Sequence, residues 1–318
     1  MGEEWIDVVV ERKWQEAAGI TCFEFVSPSG AALPTVRAGD HVNVRIASDI
    51  VRQYSLCQPP ASPVYQIGVL RDPKSRGGSV ALIERFSVGD TLAISAPANN
   101  FRLNPEANHS VLIAGGIGIT PILAMADELY QEGKSFELHY GSRSPATTAF
   151  VERLEHAAYR TNVHHRFEDA EGRLDLSAIL SDARPDAHVY VCGPSALIDA
   201  VVEQADKAGW LDMNVHRESF GASIVTKEDD QEFEVEAAQS QVVVKVGPGQ
   251  SISSALLEAG IAVTTFCEQG VCGSCLTSVI EGVPDHRDQF LNAEERASNQ
   301  QMIVCCSRAK TTRLVLDL

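Results

Sequence analysis

The stretch that decides the fold of this chain is Phe266-Cys-Glu-Gln-Gly-Val-Cys-Gly-Ser-Cys275, whose three cysteines follow a C-x4-C-x2-C pattern. A further cysteine, Cys305, follows after 29 residues. A plant-type [2Fe–2S] cluster needs four thiolates, and one tight loop can supply three of them while a distant segment supplies the fourth. The spacing therefore predicts such a cluster on Cys267, Cys272, Cys275 and Cys305.

Two other interpretations of the cysteines are a zinc site and buried structural thiols. Zinc sites are usually built from paired C-x2-C knuckles, which this loop lacks. Gly270 and Gly273 also allow the backbone to wrap closely and to aim N–H groups at sulfur atoms. Cys305 and Cys306 compete for the fourth position. We place them on a strand, where neighbouring side chains point to opposite sides; the spacing favours Cys305, and we expect Cys306 to pack.

Outward from this loop, the pattern of the chain divides it into three domains and a linker. Residues 1–105 contain short apolar or alternating runs between turn signals, which predict a small antiparallel β-barrel. Residues 106–221 alternate strands with helices, which predicts a parallel sheet with helices on both faces. Residues 222–231 are small, polar and charged and form the predicted linker, and residues 232–318 form the α+β domain that carries the cysteine loop.

The predicted elements follow the same division of the chain. The first domain has strands at Ile6–Val10, Thr21–Val26, His41–Ile46, Arg52–Cys57, Tyr65–Leu70 and Thr91–Ser95, and a helix near Gly78–Phe86. The second has strands at 110–116, 136–142, 162–167, 188–194 and 213–220, and helices at 121–131, 147–158 and up to about Lys207. The third begins with two strands in 232–246 and a short helix at Ile252–Ala259.

A flavin site is predicted on the fourth strand of the barrel. There Arg52 can neutralise a phosphate, Tyr54 can stack on a planar ring, and Ser55 can donate a hydrogen bond to a ring nitrogen. Arg76, Gly77, Gly78 and Ser79 then precede a helix, and glycine-rich backbone at a helix N-terminus binds anions. An ordinary strand with outward Arg and Tyr would look like the first motif alone, so the pairing of the two motifs carries the prediction.

Nucleotide-binding residues are predicted at the carboxyl ends of the parallel strands, where ligands bind in open α/β folds. Candidates are Gly115, Gly116, Gly118 and Thr120 after the first strand, Ser142 and Arg143 after the second, and Cys192, Gly193 and Pro194 after the fourth. The glycine turn is not a full G-x-G-x-x-G, and in isolation a generic strand–helix turn would explain it equally well. No acidic residue ends the second strand, and Arg143 follows it at a position where it could bind the 2′-phosphate of NADPH.

Together these segments resemble the ferredoxin–NADP reductase superfamily. The domain order is similar to that of the phthalate dioxygenase reductase and vanillate demethylase reductase family, and the resemblance covers essentially the whole chain. The motifs that carry it are RQYSL, GGIGITPI, VCGP, HRESFGA, FCEQGVCGSC, EGVPDHRD and CCSRAKTTRLVLDL.

The resemblance implies an enzyme that takes hydride from NADH onto FMN and passes single electrons through a [2Fe–2S] cluster to a Rieske-type oxygenase. It implies catalytic roles for Ser55, Cys192 and Phe220, with Phe220 covering the flavin until nicotinamide displaces it. Thr120 would lie near the contact between flavin and nicotinamide. Alternatives are a general NAD(P)H-dependent electron source for other acceptors and a non-catalytic iron–sulfur redox sensor.

Composition narrows the class of protein further. The 26 basic and 43 acidic residues give a net charge of −17, which argues against nucleic acid and anionic membranes as partners. No apolar run approaches the length of a membrane helix. The chain begins with an acidic segment that lacks a signal-peptide core, so we expect a cytoplasmic protein, and from the family a monomer.

His164 and His165 on a strand point to opposite sides, and we expect both at the surface.

Overall fold

A computed structural model describes residues 5–47, 50–59, 62–71, 77–220, 229–265, 270, 273–288 and 290–318. The chain divides into two compact units, Met1–Phe220 and Gly221–Leu318. Three of the predicted site residues, Arg76, Cys267 and Cys272, lie outside the described residues. Within the part of the chain that is described, no helix is long and apolar enough to cross a membrane.

The first sheet of the N-terminal unit is antiparallel. Its strands are β1 (Trp5–Ala17), β2 (Ile20–Val26), β3 (Asp40–Ala47), β4 (Ile50–Ser55), β5 (Tyr65–Leu70), β6 (Thr91–Ser95) and β7 (Ala98–Asn99), with helix α1 (Gly78–Arg85) between β5 and β6. The strand order is β4-β3-β6-β1-β2-β5, and β7 pairs with β3. An antiparallel bridge between Leu56 and Ile67 joins the end of β4 to β5, which closes the sheet into the predicted barrel.

The second sheet of this unit is entirely parallel, as predicted. Its strands are β8 (His109–Gly115), β9 (Ser135–Ser142), β10 (Val163–Phe167), β11 (Ala187–Cys192) and β12 (Val215–Glu218) in the order β10-β9-β8-β11-β12. The helices are α2 (Ile119–Gln131), α3 (Val151–His156), α4 (Glu168–Glu171), α5 (Leu176–Ile179) and α6 (Ser195–Ala208). The order reverses between β8 and β11, which opens a crevice at their carboxyl ends. One apolar cluster that includes Leu112 and Met125 and another that includes Val189 and Val201 put helices on both faces.

Two elements of this domain are shorter than the sequence predicts. The predicted helix at 147–158 begins only at Val151, because Phe150 adopts a left-handed backbone conformation with φ of 62°. The Phe150 side chain is buried, and the backbone N–H of Phe150 donates to Oε1 of Glu16 at 2.8 Å. These tertiary contacts set the helix start. The predicted strand at 213–220 is confined to β12, since a 3₁₀ turn occupies Asp212–Asn214.

The C-terminal unit is an α+β domain around a mixed sheet. Its elements are β13 (Phe233–Ala237), β14 (Val242–Val246), α7 (Ile252–Glu258), β15 (Leu276–Glu281), β16 (Pro284–Asp285), α8 (Ala293–Ser298), β17 (Gln301–Ile303), β18 (Arg308–Ala309) and β19 (Arg313–Leu316). The main sheet runs β14-β13-β19-β15-β17, with β13 and β19 parallel, and β16 pairs with β18. Asn292 and Glu295 form a capping box at the start of α8. Cys275 and Cys305 lie in the apolar core of this unit.

Candidate functional site

The N-terminus of α1 has the chemistry of a phosphate site. Gly77 caps the helix in a left-handed conformation with φ of 91° and no side-chain acceptor, and the first turn carries no acidic residue. The Oγ atom of Ser79 is buried and has no hydrogen-bond partner among the described residues. A Cβ on Gly78 would lie 2.5 Å from Nε of Arg52, so the absence of a side chain at Gly78 leaves room for the Arg52 side chain beside the helix start. Open N–H groups, an orphan hydroxyl and a cation together fit the phosphate of a bound flavin.

The sequence-predicted residues of β4 continue this site across the barrel. Tyr54 packs against the barrel core, and burial raises the pKa of its hydroxyl. Ser55 is buried, and its Oγ donates to Oε2 of Glu218 on β12 at 3.4 Å. Because β4 belongs to the barrel and β12 to the parallel sheet, this contact brings the two predicted binding regions together.

Glu218 is a site residue that the sequence analysis missed. Its partner Ser55 is 163 positions away in the chain, and no local motif signals the contact. The only available signal is its place two residues before Phe220 in the HRESFGA motif. Desolvation by burial raises the pKa of Glu218 to about 8, and the hydrogen bond from Ser55 acts in the opposite direction. Glu218 is therefore a carboxyl group that holds its proton at neutral pH.

The crevice between β8 and β11 contains the glycine turn and Cys192. A Cβ on Gly118 would lie 2.3 Å from the carbonyl oxygen of Cys192, so the two strand–helix turns touch through backbone. Gly115 and Gly193 also approach each other closely, since a Cβ on Gly193 would lie 3.0 Å from Cα of Gly115. Cys192 is fully buried beside Glu218 on the neighbouring strand, and burial raises the pKa of its thiol. This close packing brings the two strand–helix turns together at the switch point, where ligands approach the backbone in open α/β folds.

The remaining predicted nucleotide residues lie around this crevice with different exposure. Thr120 is buried at the start of α2, and its Oγ1 donates to the carbonyl oxygen of Ile117 at 3.1 Å. Ser142 is also buried, and its hydroxyl shares a 2.6 Å hydrogen bond with that of Thr148, which fixes the end of β9.

Three predicted residues stand at the surface of this region. Arg143 is exposed, immediately after β9, and Pro194 is exposed at the start of α6. Phe220 is 40% exposed after β12. An exposed ring two residues after Glu218 is suited to packing on a planar ligand.

In the C-terminal unit the described cysteines converge as a cluster site requires. Cys275 and Cys305 are each 3% exposed, and their thiols lie within hydrogen-bonding reach of each other. A Cβ on Gly270 would lie 2.5 Å from Sγ of Cys306, and Gly270 has φ of 77°, so the loop passes closely over this sulfur. The close pair of buried thiols, Cys275 and Cys305, fits two ligands of a [2Fe–2S] cluster, and the loop packs on the neighbouring Cys306.

The expectation that Cys305 and Cys306 lie on a strand is wrong. Both cysteines lie in a turn after β17, so strand alternation does not separate them, and the preference for Cys305 from spacing stays a prediction. Their sulfur contacts differ instead. Cys305 reaches both Cys275 and Cys306, whereas Sγ of Cys306 donates towards the carbonyl oxygen of Ile303 at 3.8 Å. These contacts favour Cys305 as the ligand and Cys306 as a packing residue.

Comparison with known protein families supports the interpretation of the cysteine domain and of the parallel-sheet domain. Residues 235–310 match the model of the 2Fe-2S iron-sulfur cluster binding domain. Residues 95–215 match the N-terminal domain of the dimethylamine monooxygenase subunit DmmA-like family. The fold and the site thus define a flavin- and nucleotide-dependent oxidoreductase with a plant-type ferredoxin domain.

Whole-chain relatives identify the family within that class. The chain is 45% identical to vanillate O-demethylase oxidoreductase of Pseudomonas sp. (strain HR199 / DSM 7063), over 98% of this chain and 100% of that protein. It is 42% identical to tetrachlorobenzoquinone reductase of Sphingobium chlorophenolicum, over 98% of each chain. A solved phthalate dioxygenase reductase, described as a modular structure for electron transfer from pyridine nucleotides to [2Fe-2S], is 37% identical with a TM-score of 0.77, covering 99% of this chain and 98% of that one. The chain belongs to the family of the vanillate O-demethylase oxidoreductases and phthalate dioxygenase reductase.

Proposed function

We propose that this chain is the reductase component of a two-component Rieske-type oxygenase, taking hydride from NADH onto FMN and passing single electrons through a [2Fe–2S] cluster to the oxygenase. The observation that carries this proposal is the meeting of Ser55, Glu218 and Cys192. These residues bring the flavin segment of the barrel to the carboxyl edge of the parallel sheet. The relatives that match the whole chain include oxygenase reductases, which supports an oxygenase as partner.

When bound, the flavin accepts a hydride as two electrons and releases them singly, and the cluster carries one electron at a time. The residues of this chain supply position and electrostatics. Arg52 and the N-terminus of α1 hold the flavin phosphate, with Ser79 donating its free hydroxyl. Tyr54 supports the ring, and Ser55 donates a hydrogen bond at its edge. Arg76, Gly77 and Gly78 complete the phosphate loop.

At the crevice, the chain holds the nicotinamide against the flavin position and excludes water from it. The turn that contains Gly115, Gly116 and Gly118 offers backbone N–H groups, and Cys192 and Thr120 form the buried floor. Phe220 covers the flavin until the nicotinamide takes its place. Glu218 holds a proton next to Ser55, which keeps this buried region free of an uncompensated charge.

We propose NADH as the nucleotide. Arg143 could bind a 2′-phosphate, but the N–H of Asp169 donates to the carbonyl oxygen of Arg143 at 3.2 Å, which places α4 beside it. Helix α4 carries Glu168, Asp169 and Glu171. Negative charges at this point oppose a 2′-phosphate and accept hydrogen bonds from ribose hydroxyls. Ser142, Gly193 and Pro194 complete the proposed nucleotide site.

The organisation of the chain extends this proposal. We assign residues 1–105 to FMN binding, 106–221 to nucleotide binding, 222–231 to a linker and 232–318 to the cluster, whose ligands are Cys267, Cys272, Cys275 and Cys305. We propose a monomer. We also propose a cytoplasmic location, since reducing conditions there keep cluster thiols unoxidised.

A second candidate function is electron transfer to an acceptor other than an oxygenase. It is favoured by the likeness to tetrachlorobenzoquinone reductase, which spans nearly the whole chain. Anaerobic mixing of the reduced protein with a quinone or with a Rieske oxygenase separates the two functions. The oxygenase should be reduced at a rate that supports turnover, while the quinone should be reduced more slowly.

The central test of the proposed site is Ser55→Ala, with Ser95→Ala as the matched control. Both serines are buried in the barrel. Ser95 accepts a hydrogen bond from the N–H of Asn43, whereas Ser55 donates one to Glu218. NADH-dependent reduction of cytochrome c should fall about 10- to 100-fold in Ser55→Ala and change little in the control. Wild-type activity in Ser55→Ala would refute the site. No activity of the wild-type holoprotein with either nucleotide would instead support the redox-sensor alternative.

A further inference from the structure

A group of polar side chains lies on one face of the parallel sheet, where the reaction proposed above does not use it. Glu137 and His139 are two positions apart on β9 and therefore point to the same face. His164 of the edge strand β10 is in register with His139, so it shares that face. His109 reaches the same group from the start of β8. Sequence reasoning missed this group because the strand register, and not the sequence spacing, brings its members together.

The potential ligand atoms of this group are close together. Nε2 of His139 lies 3.2 Å from Oε2 of Glu137, and Nε2 of His109 lies 4.0 Å from Oε1 of the same carboxylate. The rings of His139 and His164 stack with centroids 4.9 Å apart. One ligand atom from each of Glu137, His139 and His164 can be chosen so that all lie within 4.8 Å of one another.

The surroundings of His139 also suit a cation. Nε2 of His139 is buried and makes no hydrogen bond in the described part of the chain, although Oε2 of Glu137 lies 3.2 Å away. The side chain of His139 is only 12% exposed. A buried imidazole nitrogen that faces a carboxylate without a shared hydrogen bond is in the arrangement that two ligands of one ion adopt.

We propose that Glu137, His139 and His164 bind one late first-row divalent cation, with Zn²⁺ as the best occupant. Two imidazoles and a carboxylate are a common zinc ligand set, and the fourth position is open to water. Tetrahedral ligands at about 2.0–2.1 Å from zinc lie about 3.3 Å apart, a spacing that Glu137 and His139 already have. His164 is exposed and can close the remaining gap by a side-chain rotation. Hard cations such as Mg²⁺ prefer oxygen ligands and should bind poorly.

An ion at this site would join the edge strand to the rest of the sheet. β10 is the outermost strand, paired on one side only with β9. A bond from His164 to an ion held by β9 adds a second connection across this pair. Since the ion binds the folded sheet and not the unfolded chain, zinc should raise the melting temperature.

The test is a zinc titration of the purified holoprotein, with the visible spectrum recorded to verify that flavin and cluster stay in place. The variants are His164→Gln and His139→Gln, and the matched control is His156→Gln, which alters an exposed histidine on α3. Wild type and control should bind one Zn²⁺ with equal affinity and gain thermal stability from it. His164→Gln and His139→Gln should bind at least about tenfold more weakly and lose the thermal gain.

Two results would overturn the proposal. One is the absence of zinc binding by wild-type protein throughout the titration. The other is the same affinity in wild type and in both ligand variants, since binding would then occur elsewhere. Because His164 is exposed, His164→Gln should fold normally, and its circular dichroism spectrum checks this.

Discussion

Ser55 Oγ donates a 3.4 Å hydrogen bond to Oε2 of Glu218, and this contact links the fourth strand of the barrel to the last strand of the parallel sheet. Cys192 lies beside Glu218 on the neighbouring strand. The three side chains lie where the proposed flavin and nucleotide segments meet. Because burial raises the pKa of Glu218 to about 8, this meeting point is uncharged at neutral pH.

Glu218 should therefore give flavin reduction a characteristic pH dependence. Its proton is present below pH 8 and is lost as the pH rises through about 8, which places an uncompensated negative charge beside the reacting atoms. The rate of flavin reduction by NADH, measured by anaerobic stopped flow, should fall with increasing pH above about 8. In Glu218→Gln the side chain cannot ionise, and this inflection should disappear. An unchanged inflection in the variant would assign the pH dependence to another group.

The same ionisation affects stability with a defined sign. The folded-state pKa is raised above the ordinary value of 4.5, so the folded protein keeps a proton that the unfolded chain loses. The contribution of Glu218 to stability is thus present below about pH 4.5 and is lost as the pH rises towards about 8. The free energy of unfolding, measured by chemical denaturation, should decrease less between pH 6 and pH 8 in Glu218→Gln than in wild type.

Gly118→Ala should damage the nucleotide crevice. Its new Cβ would lie 2.3 Å from the carbonyl oxygen of Cys192, so the two turns must separate. We expect the KM for NADH to rise by about tenfold or more, measured in steady-state reduction of cytochrome c. Gly247→Ala is the control, because its Cβ would meet only Oε1 of Gln250 at 4.0 Å. Unchanged kinetics in Gly118→Ala would show that the crevice does not bind the nucleotide.

Cys305→Ser and Cys306→Ser form a matched pair for the fourth cluster ligand. Cys305 reaches the thiol of Cys275, while Cys306 is directed towards the carbonyl oxygen of Ile303. Cys305→Ser should lose the visible absorption of the cluster and most of its iron, whereas Cys306→Ser should retain both. The reverse pattern would make Cys306 the ligand.

Arg287→Ala should destabilise the C-terminal unit. Arg287 is 5% exposed and pairs with Asp230, which is 6% exposed, through a 2.9 Å hydrogen bond from Nη1 and a second one from Nη2. Removing the guanidinium takes these hydrogen bonds from the buried carboxylate of Asp230, which keeps Arg308 at 3.6 Å, and should cost about 1.5–3 kcal/mol of unfolding free energy. Lys245→Ala, which breaks an exposed pair with Glu232, should cost less than about 1 kcal/mol. Thermal denaturation of the holoproteins measures both, and equal effects would refute the role assigned to the buried pair.

Local patterns predicted most of the strands that position the site. The alternating and apolar runs of the barrel correspond to β1–β6, and the runs before glycine turns correspond to β8, β9 and β11. The five described strands after the cysteine loop and helix α8 were not predicted, and the strand expected at Cys305 and Cys306 is a turn, because these elements are set by tertiary packing. The capping box of Asn292 and Glu295 was the signal that could have located α8.

Contacts between distant segments were beyond the reach of local patterns. Glu218 meets Ser55 through the packing of two sheets, and His139 meets His164 through parallel register. The expectation that His165 lies at the surface is wrong: both of its ring nitrogens are buried, and burial lowers its pKa. His164, by contrast, is exposed as expected. Alternation along a strand assigns two faces, but only the neighbouring elements determine which face is covered.

The measurement that tests the central claim most directly is an anaerobic titration of the purified holoprotein with NADH, followed by visible absorption. The account predicts that the flavin bands and the iron–sulfur bands bleach together, because hydride enters at the flavin and electrons continue to the cluster. Bleaching of the flavin without reduction of the cluster would contradict the proposed electron path. Bleaching with NADPH but not with NADH would contradict the proposed nucleotide and assign the 2′-phosphate to Arg143.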